Sequence, residues 1–199
     1  LYSATFCGGL PVLNIFRRDM ICGKILGFRG IFNATTNFIL EEMLKGRDYA
    51  DALRETQERG IAEADPSIDV CGWDTAAKLV IAANSIVDAM IMLADVSVSG
   101  IEDVQPDWLE QCRREGSVLK LVATAECIDA DWRFQVEPTP VLIAIFLGSC
   151  SGWEMAIEIQ SDIYGKTFYK LWEREPVPTA ASMLRDAVHL ATMGRQGSL

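Results

Sequence analysis

The chain has 199 residues, half of them apolar and fewer than a quarter charged, which suits one domain with a substantial core and argues against disorder. Its formal charge of −10 repels phosphate backbones and anionic lipid, and no basic stripe offers a nucleic-acid surface. The longest apolar stretch, Val141 to Leu147, falls far short of the roughly 20 residues a spanning helix needs. Neither nucleic acid nor membrane is an expected partner. Six scattered cysteines without a Cys-x-x-Cys pair read as small buried hydrophobes in a reducing, cytoplasmic setting.

In chain order, Tyr2 to Phe6 reads as a strand ending in the turn Cys7 to Pro11, with a short helix following to Arg18 and a strand over Lys24 to Phe32. Thr35 to Leu44 carries Phe38, Ile39 and Met43 at helical spacing and stops near Gly46. Tyr49 to Glu58 is rich in helix formers and is ended by Gly60. Ile61 to Gly72 has loop chemistry, with the turn former Asp65-Pro66 among several acids. Trp73 to Leu93 reads as one long, largely apolar helix, and Pro106 to Arg114 as a short one with proline in its first turn. The second half changes to strands: Val118 to Cys127, Trp132 to Glu137, Glu154 to Ser161 and Lys166 to Trp172, punctuated by Gly116, Asp129 to Asp131, Gly152 and Gly165. Ala180 to Met193 closes the chain as an amphipathic helix. This order implies an α+β fold, a mixed and largely antiparallel sheet covered by helices, with residues 1–199 as one domain.

Several chemistries lack their residues. The lone histidine, His189, lies on the closing helix, where favourable interaction with the helix dipole near its C-terminus is the plain role. Gly8-Gly9 lacks the spacing and flanking elements of a dinucleotide fingerprint. Asp65 and Asp69 fail as a calcium loop, because Val70 and Ala76 stand where that motif needs glycine and glutamate.

Chemistry concentrates in Gly60 to Lys78. Asp74 and Lys78, four apart at the start of a helix, share one face, and acid before base suits the dipole. An ordinary surface ion pair has the same spacing. Here the pair is flanked by Ala76, Ala77, Leu79, Val80 and Ile81, so the helix is a core element. The acid-rich loop upstream can fold Glu63 and Asp69 back over the same helix end. A lysine so placed among carboxylates is held charged, oriented and ready to exchange a proton.

The stretch Gly60-Ile61-Ala62-Glu63-Ala64-Asp65-Pro66 through Asp69, Gly72 and Asp74 to Lys78 resembles the signature of homoserine dehydrogenases, G-[YI]-A-E-A-D-P-x-x-D-x-x-G-x-D-x-x-x-K. Ala4 to Pro11 resembles the family's A-T-V-x-x-G-[LI]-P, and Gly30 to Leu40 its G-I-[LF]-N-G-T-T-N-[YF]-I-L, in the same order. Ser151 to Ala156 and Pro178 to Asp186 are weaker echoes. The resemblance implies reversible reduction of L-aspartate 4-semialdehyde to L-homoserine with NAD or NADP, on the route to threonine and methionine. It implies catalytic roles for Lys78 and Asp74, and binding of the amino-acid substrate by Glu63, Asp69, Thr35 and the backbone at Ala34. It further implies a monovalent cation on the carbonyls of Phe6, Gly8 and Leu10, and a homodimer formed through the sheet. Family members begin with a nucleotide-binding domain that carries most cofactor contacts and a second catalytic lysine. This chain starts about where that domain hands over, so alone it is expected to be inactive. The chain departs from the pattern at Ser3, where many members have a cation-binding glutamate, at Ala34, usually glycine, and over Trp172 to Glu175, where members have a Gly-rich turn. Those departures suit a non-catalytic dimerisation or interaction module; intact Glu63, Asp69, Asp74 and Lys78 suit the enzyme. A related dehydrogenase acting on another small acidic substrate is the third reading.

Overall fold

A computed structural model of the chain describes residues 3–60, 65–87 and 90–196. Six strands form one sheet in the order β2-β4-β3-β1-β5-β6. They are β1 (Ile25–Ile31), β2 (Val96–Val98), β3 (Ser117–Ile128), β4 (Asp131–Leu142), β5 (Glu154–Ser161) and β6 (Gly165–Trp172). Every pairing is antiparallel except that of the three-residue edge strand β2 with β4. The α+β expectation therefore holds. β3 and β4 form a hairpin whose turn residues, Asp129 and Ala130, both take positive φ, the backbone that matches the twist of paired strands. β4 runs past the expected end at Glu137, through Pro138 and Pro140. There the partner β2 is absent and the missing N–H groups cost no ladder bond.

The helices are α1 (Val12–Asn14, continued by a π turn Ile15–Asp19), α2 (Ala34–Leu44), α3 (Tyr49–Glu58), α4 (Ser67–Val70), α5 (Trp73–Ala83), α6 (Pro106–Arg114) and α7 (Val177–Gln196). Side-chain caps set two starts: Asn33 accepts the Thr36 N–H, and Asp48 the Asp51 N–H. α2, α5 and α6 pack on β3, and α5 also meets β2 and β4. Between these layers lies the main core, in which the Phe6 and Phe32 rings meet edge-on at 4.7 Å and Leu79, Ala76 and Ala82 of α5 are fully buried. The small residues of α5 let it lie close against the sheet.

The opposite sheet face carries a smaller cluster of Ile31, Val122, Val141, Leu147 and Ala156. Beside it lies a shallow groove of about 400 Å³ lined by Gly27, Arg29, Thr124, Glu126 and Glu158, in which Arg29 pairs with Glu158 at 2.7 Å. Lys120 is buried at this level. Its ammonium donates to Asn37 Oδ1 and the Cys150 carbonyl, each at 2.6 Å, and burial pulls its pKa down.

Four further expectations change. Ser3–Thr5 is a 3-10 turn rather than part of a strand, because the Ser3 N–H and hydroxyl both donate to the Asp186 carboxylate of α7, at 2.8 Å. The helix expected to reach Leu93 stops at Ala83: the Asn84 amide bonds both the N–H and the carbonyl of Ile91, each at 2.9 Å, and closes a loop in place of further turns. The acid-rich loop contains the short helix α4, while Ile61 to Ala64 lie outside the described residues. His189 is exposed about two turns before the end of α7, outside the last turn where the dipole acts. Among the described residues, no helix is long and apolar enough to cross a membrane.

Candidate active site

The cleft forms where three segments meet: the Cys7–Pro11 turn, the junction of β1 with α2, and the α4–α5 pair. Gly72, in the left-handed region at φ 83°, lets α4 turn directly into α5. That turn brings Asp69 of α4 beside Asp74 and Lys78 of α5. Lys78 Nζ lies 2.6 Å from Asp74 Oδ2 and 2.9 Å from the Phe32 carbonyl, with its side chain only 18% exposed. This is no solvated surface pair. The cavity, about 450 Å³, is lined by these groups, by Thr35 and Ala34 at the α2 N-terminus, and by Cys7, Trp153 and Glu173.

The structure thus brings together Lys78, Asp74, Asp69, Thr35, Ala34 and Gly8. Glu63 lies outside the described residues. Two residues absent from the sequence-based set stand out. Asn33 donates through Nδ2 to Asp69 Oδ1 at 2.8 Å and to Asp74 Oδ2 at 2.7 Å. Glu173, just past β6, accepts the N–H groups of Gly9 and Thr179, each at 2.9 Å, and the Thr179 hydroxyl. It belongs to Trp172 to Glu175, the stretch where the chain departs from the family's Gly-rich turn. Sequence reading misses both: the acids that Asn33 bridges lie 36 and 41 positions on, and Gly9, which Glu173 holds, lies 164 positions back.

Electrostatically the cleft holds four described carboxylates, Asp65, Asp69, Asp74 and Glu173, and one ammonium, Lys78. Burial pulls the Lys78 ammonium down, yet the charges of Cys7, Asp74 and Asp69 together outweigh it, and the pKa is raised. Burial in turn pushes the Cys7 thiol up to about 12. Lys78 is therefore charged through the neutral range. Burial, aided by the like charge of Asp74, pushes the Asp69 carboxyl above its ordinary value against the pull of Asn33, Lys78 and Thr35.

The folded chain then binds a proton at Asp69 more tightly than the unfolded chain does. Stability is lost as pH rises from the unfolded aspartate value, about 3.9, through the higher folded one. Asp69→Asn removes that cost. It is expected to melt above the parent at pH 7 and level with it near pH 3, where both forms are neutral, as read by calorimetry at the two pH values.

The cleft suits a small zwitterion or cation and repels polyphosphate. Among the described residues, no group of three or more His, Cys, Asp and Glu can hold a metal ion. At the Cys7–Pro11 turn, the Leu10 carbonyl already accepts the Val12 N–H at 2.9 Å, and Ser3 is engaged by Asp186.

An α+β domain that holds the Lys78 ammonium among converging acids, at the mouth of a core helix, has the groups to exchange a proton with a small polar molecule. A family model described as homoserine dehydrogenase matches residues 11–188, so the chain belongs to the homoserine dehydrogenase family. Homoserine dehydrogenase of Methanocaldococcus jannaschii is 35% identical over 190 residues, covering 95% of this chain and 55% of the relative. An NAD(+)-dependent homoserine dehydrogenase of Pseudomonas canavaninivorans is 33% identical over 190 residues, covering 95% and 54%. The crystal structure of a homoserine dehydrogenase from Thiobacillus denitrificans superposes with a TM-score of 0.87 at 28% identity, covering all of this chain and 47% of that one. The chain spans about half the length of the curated relatives it matches.

Proposed function

We propose that the chain is the substrate-binding and catalytic half of a homoserine dehydrogenase that interconverts L-homoserine and L-aspartate 4-semialdehyde in the cytoplasm, serving threonine and methionine synthesis. The observation that carries this is the Lys78 ammonium, clasped by Asp74 and the Phe32 carbonyl inside a cleft walled by Asp69. A bound nicotinamide cofactor, NAD or NADP, supplies or accepts the hydride. The acidic walls described above fit the reacting end of such a molecule and leave its phosphates to a different surface.

The chain's own residues bind and move a proton. Asp69, with Glu63, takes the substrate's ammonium group through charge-assisted hydrogen bonds. Thr35 and the backbone at Ala34 hold its remaining polar groups. Lys78 polarises the substrate oxygen and delivers a proton to it as the carbonyl becomes a hydroxyl, then recovers one in the reverse direction. Asp74 keeps that ammonium charged and aimed. A monovalent cation on the carbonyls of Phe6, Gly8 and Leu10 would brace the turn beside the cleft, without the carboxylate that many members place at the position of Ser3. A second copy of the chain meets this one through the sheet face bearing Arg29 and Glu158. Exposed Phe168, Trp172 and Ile143, at 49, 59 and 50%, offer the apolar area for such an interface.

The rival reading, an inactive dimerisation module, draws on Glu173, whose carboxylate stands in the cleft and ties α7 to the Cys7–Pro11 turn. The two readings separate when the nucleotide-binding domain expected of the family is fused upstream. Homoserine-dependent formation of reduced nicotinamide, followed by absorbance, is expected. A folded, dimeric fusion with no turnover would establish the module instead.

A further inference from the structure

The Asn33 amide has every hydrogen-bonding atom committed. Its two N–H hydrogens go to two different carboxylates, Asp69 at 2.8 Å and Asp74 at 2.7 Å, while its oxygen accepts the Thr36 N–H at 2.9 Å. Asp74 Oδ2 is the same atom that Lys78 grips at 2.6 Å, and Lys78 also donates to Phe32, the residue next to Asn33. The residue is only 5% exposed, so water does not supply these bonds in its place. Capping α2 does not itself require asparagine, because serine and aspartate cap a helix about equally well. Two neighbouring carboxylates, in contrast, repel unless one takes a proton or a donor stands between them. The planar NH2 group of an amide offers two hydrogens at a fixed angle and adds no charge.

We propose that Asn33 is the positioning residue of the cleft, a neutral bridge that holds Asp69 and Asp74 side by side and aims Asp74 at Lys78. The assignment rests on the cleft being the substrate site. It gives Asn33 no contact with the reacting atoms; it acts through the two acids.

The test uses Asn33→Ser and Asn33→Asp, both of which keep an oxygen for the Thr36 N–H. Serine has one hydrogen to give, and ionised aspartate has none and adds a third negative charge. On the chain itself, aspartate carboxyl titrations are followed by carbon-13 NMR, with thermal melting as the control for folding. Among the described residues, the charged or titratable groups that line the cleft with Asp69 are Asp74 and Lys78 from α5, Asp65 from the preceding turn, and Cys7 and Glu173 across the cleft. None of these is altered in either variant. Losing a donor to the carboxylate removes a stabiliser of its charged form, so Asp69 should titrate at higher pH in the serine variant and higher again in the aspartate variant.

In the fused enzyme, kcat should fall about 10- to 100-fold in both variants through misplacement of the acids, and the acid limb of kcat/KM should move up in pH with Asp69. An Asp69 titration identical to the parent's in the folded serine variant would overturn the proposal. So would a shifted titration with kcat unchanged in an active fusion. If the parent fusion has no activity, the reading of the cleft as a homoserine site fails, and the NMR titration still decides the bridge. Should the aspartate variant fail to fold, the serine variant carries the test alone.

Discussion

Lys78→Ala, in the chain fused to a nucleotide-binding half, is expected to lower kcat by about 10²- to 10⁴-fold while KM for homoserine changes by far less. The ammonium has three hydrogens; among the described residues two have acceptors, Asp74 Oδ2 and the Phe32 carbonyl, and the third can go to a substrate oxygen. In the proposed reading Asp69 still binds the substrate's ammonium in the alanine variant, so the loss is expected to fall on the chemical step. Lys78→Arg should not restore activity, since a guanidinium does not release its proton near neutrality and is wider than the space an ammonium fills. The raised pKa of Lys78 gives the pH dependence a sign. Lysine is protonated at neutral pH, ready to give a proton during aldehyde reduction. Homoserine oxidation needs the free amine, so its rate should climb with pH into the alkaline range while the reductive rate falls. Initial rates in both directions across pH check this, and full activity of the alanine variant would remove Lys78 from the mechanism.

Gly100→Ala is expected to cost about 3 kcal/mol of folding stability, as for overpacking against backbone in a dense interior. A β-carbon at Gly100 would stand 2.3 Å from the Val70 carbonyl oxygen and 2.6 Å from Cys71 Cα. These are backbone atoms, which yield only if α4 itself moves. The neighbouring Ile101 N–H bonds that same Val70 carbonyl at 2.8 Å, and Val70 and Ile101 are both buried, so the contact is held from several sides. For a chain of this size the loss corresponds to a melting temperature lower by roughly 6–12 °C, measurable by calorimetry. Asp69 precedes Val70, so the displacement should also raise KM for homoserine in the fused enzyme. A variant that melts with the parent would show that α4 has room to shift.

These two residues also mark how far the sequence is readable. Lys78 and Asp74 are legible because their partnership is local, one helical turn apart, and helix periodicity places them on one face. The end of α3 is legible for the same reason: Gly60 carries its stop signal within two residues of the helix. β5, Glu154–Ser161, matches its expected bounds through the alternation of its side chains. Gly100 gives no such sign. Its constraint comes from the α4 backbone about 30 residues upstream, brought close only by folding. Asn33 is hidden in the same way, since the acids it bridges lie 36 and 41 positions away. Helix α5 is overestimated because apolar composition continues to Leu93, whereas a single amide at Asn84 ends the helix by bonding Ile91. Ser3 reads as strand until Asp186, 183 residues on, claims its N–H and hydroxyl.

The buried seat of Cys7 has a consequence for how the molecule meets electrophiles. Its sulfur touches the Phe32 carbonyl at 3.7 Å and stays a thiol under any physiological condition, so it is a poor nucleophile as long as the chain around it is closed. Cys22 stands exposed and is expected to take an alkylating reagent first. Capture of Cys7 has to wait for the glycine turn to lift away from the floor of the cleft, which makes its slow alkylation a clock for how often that floor opens.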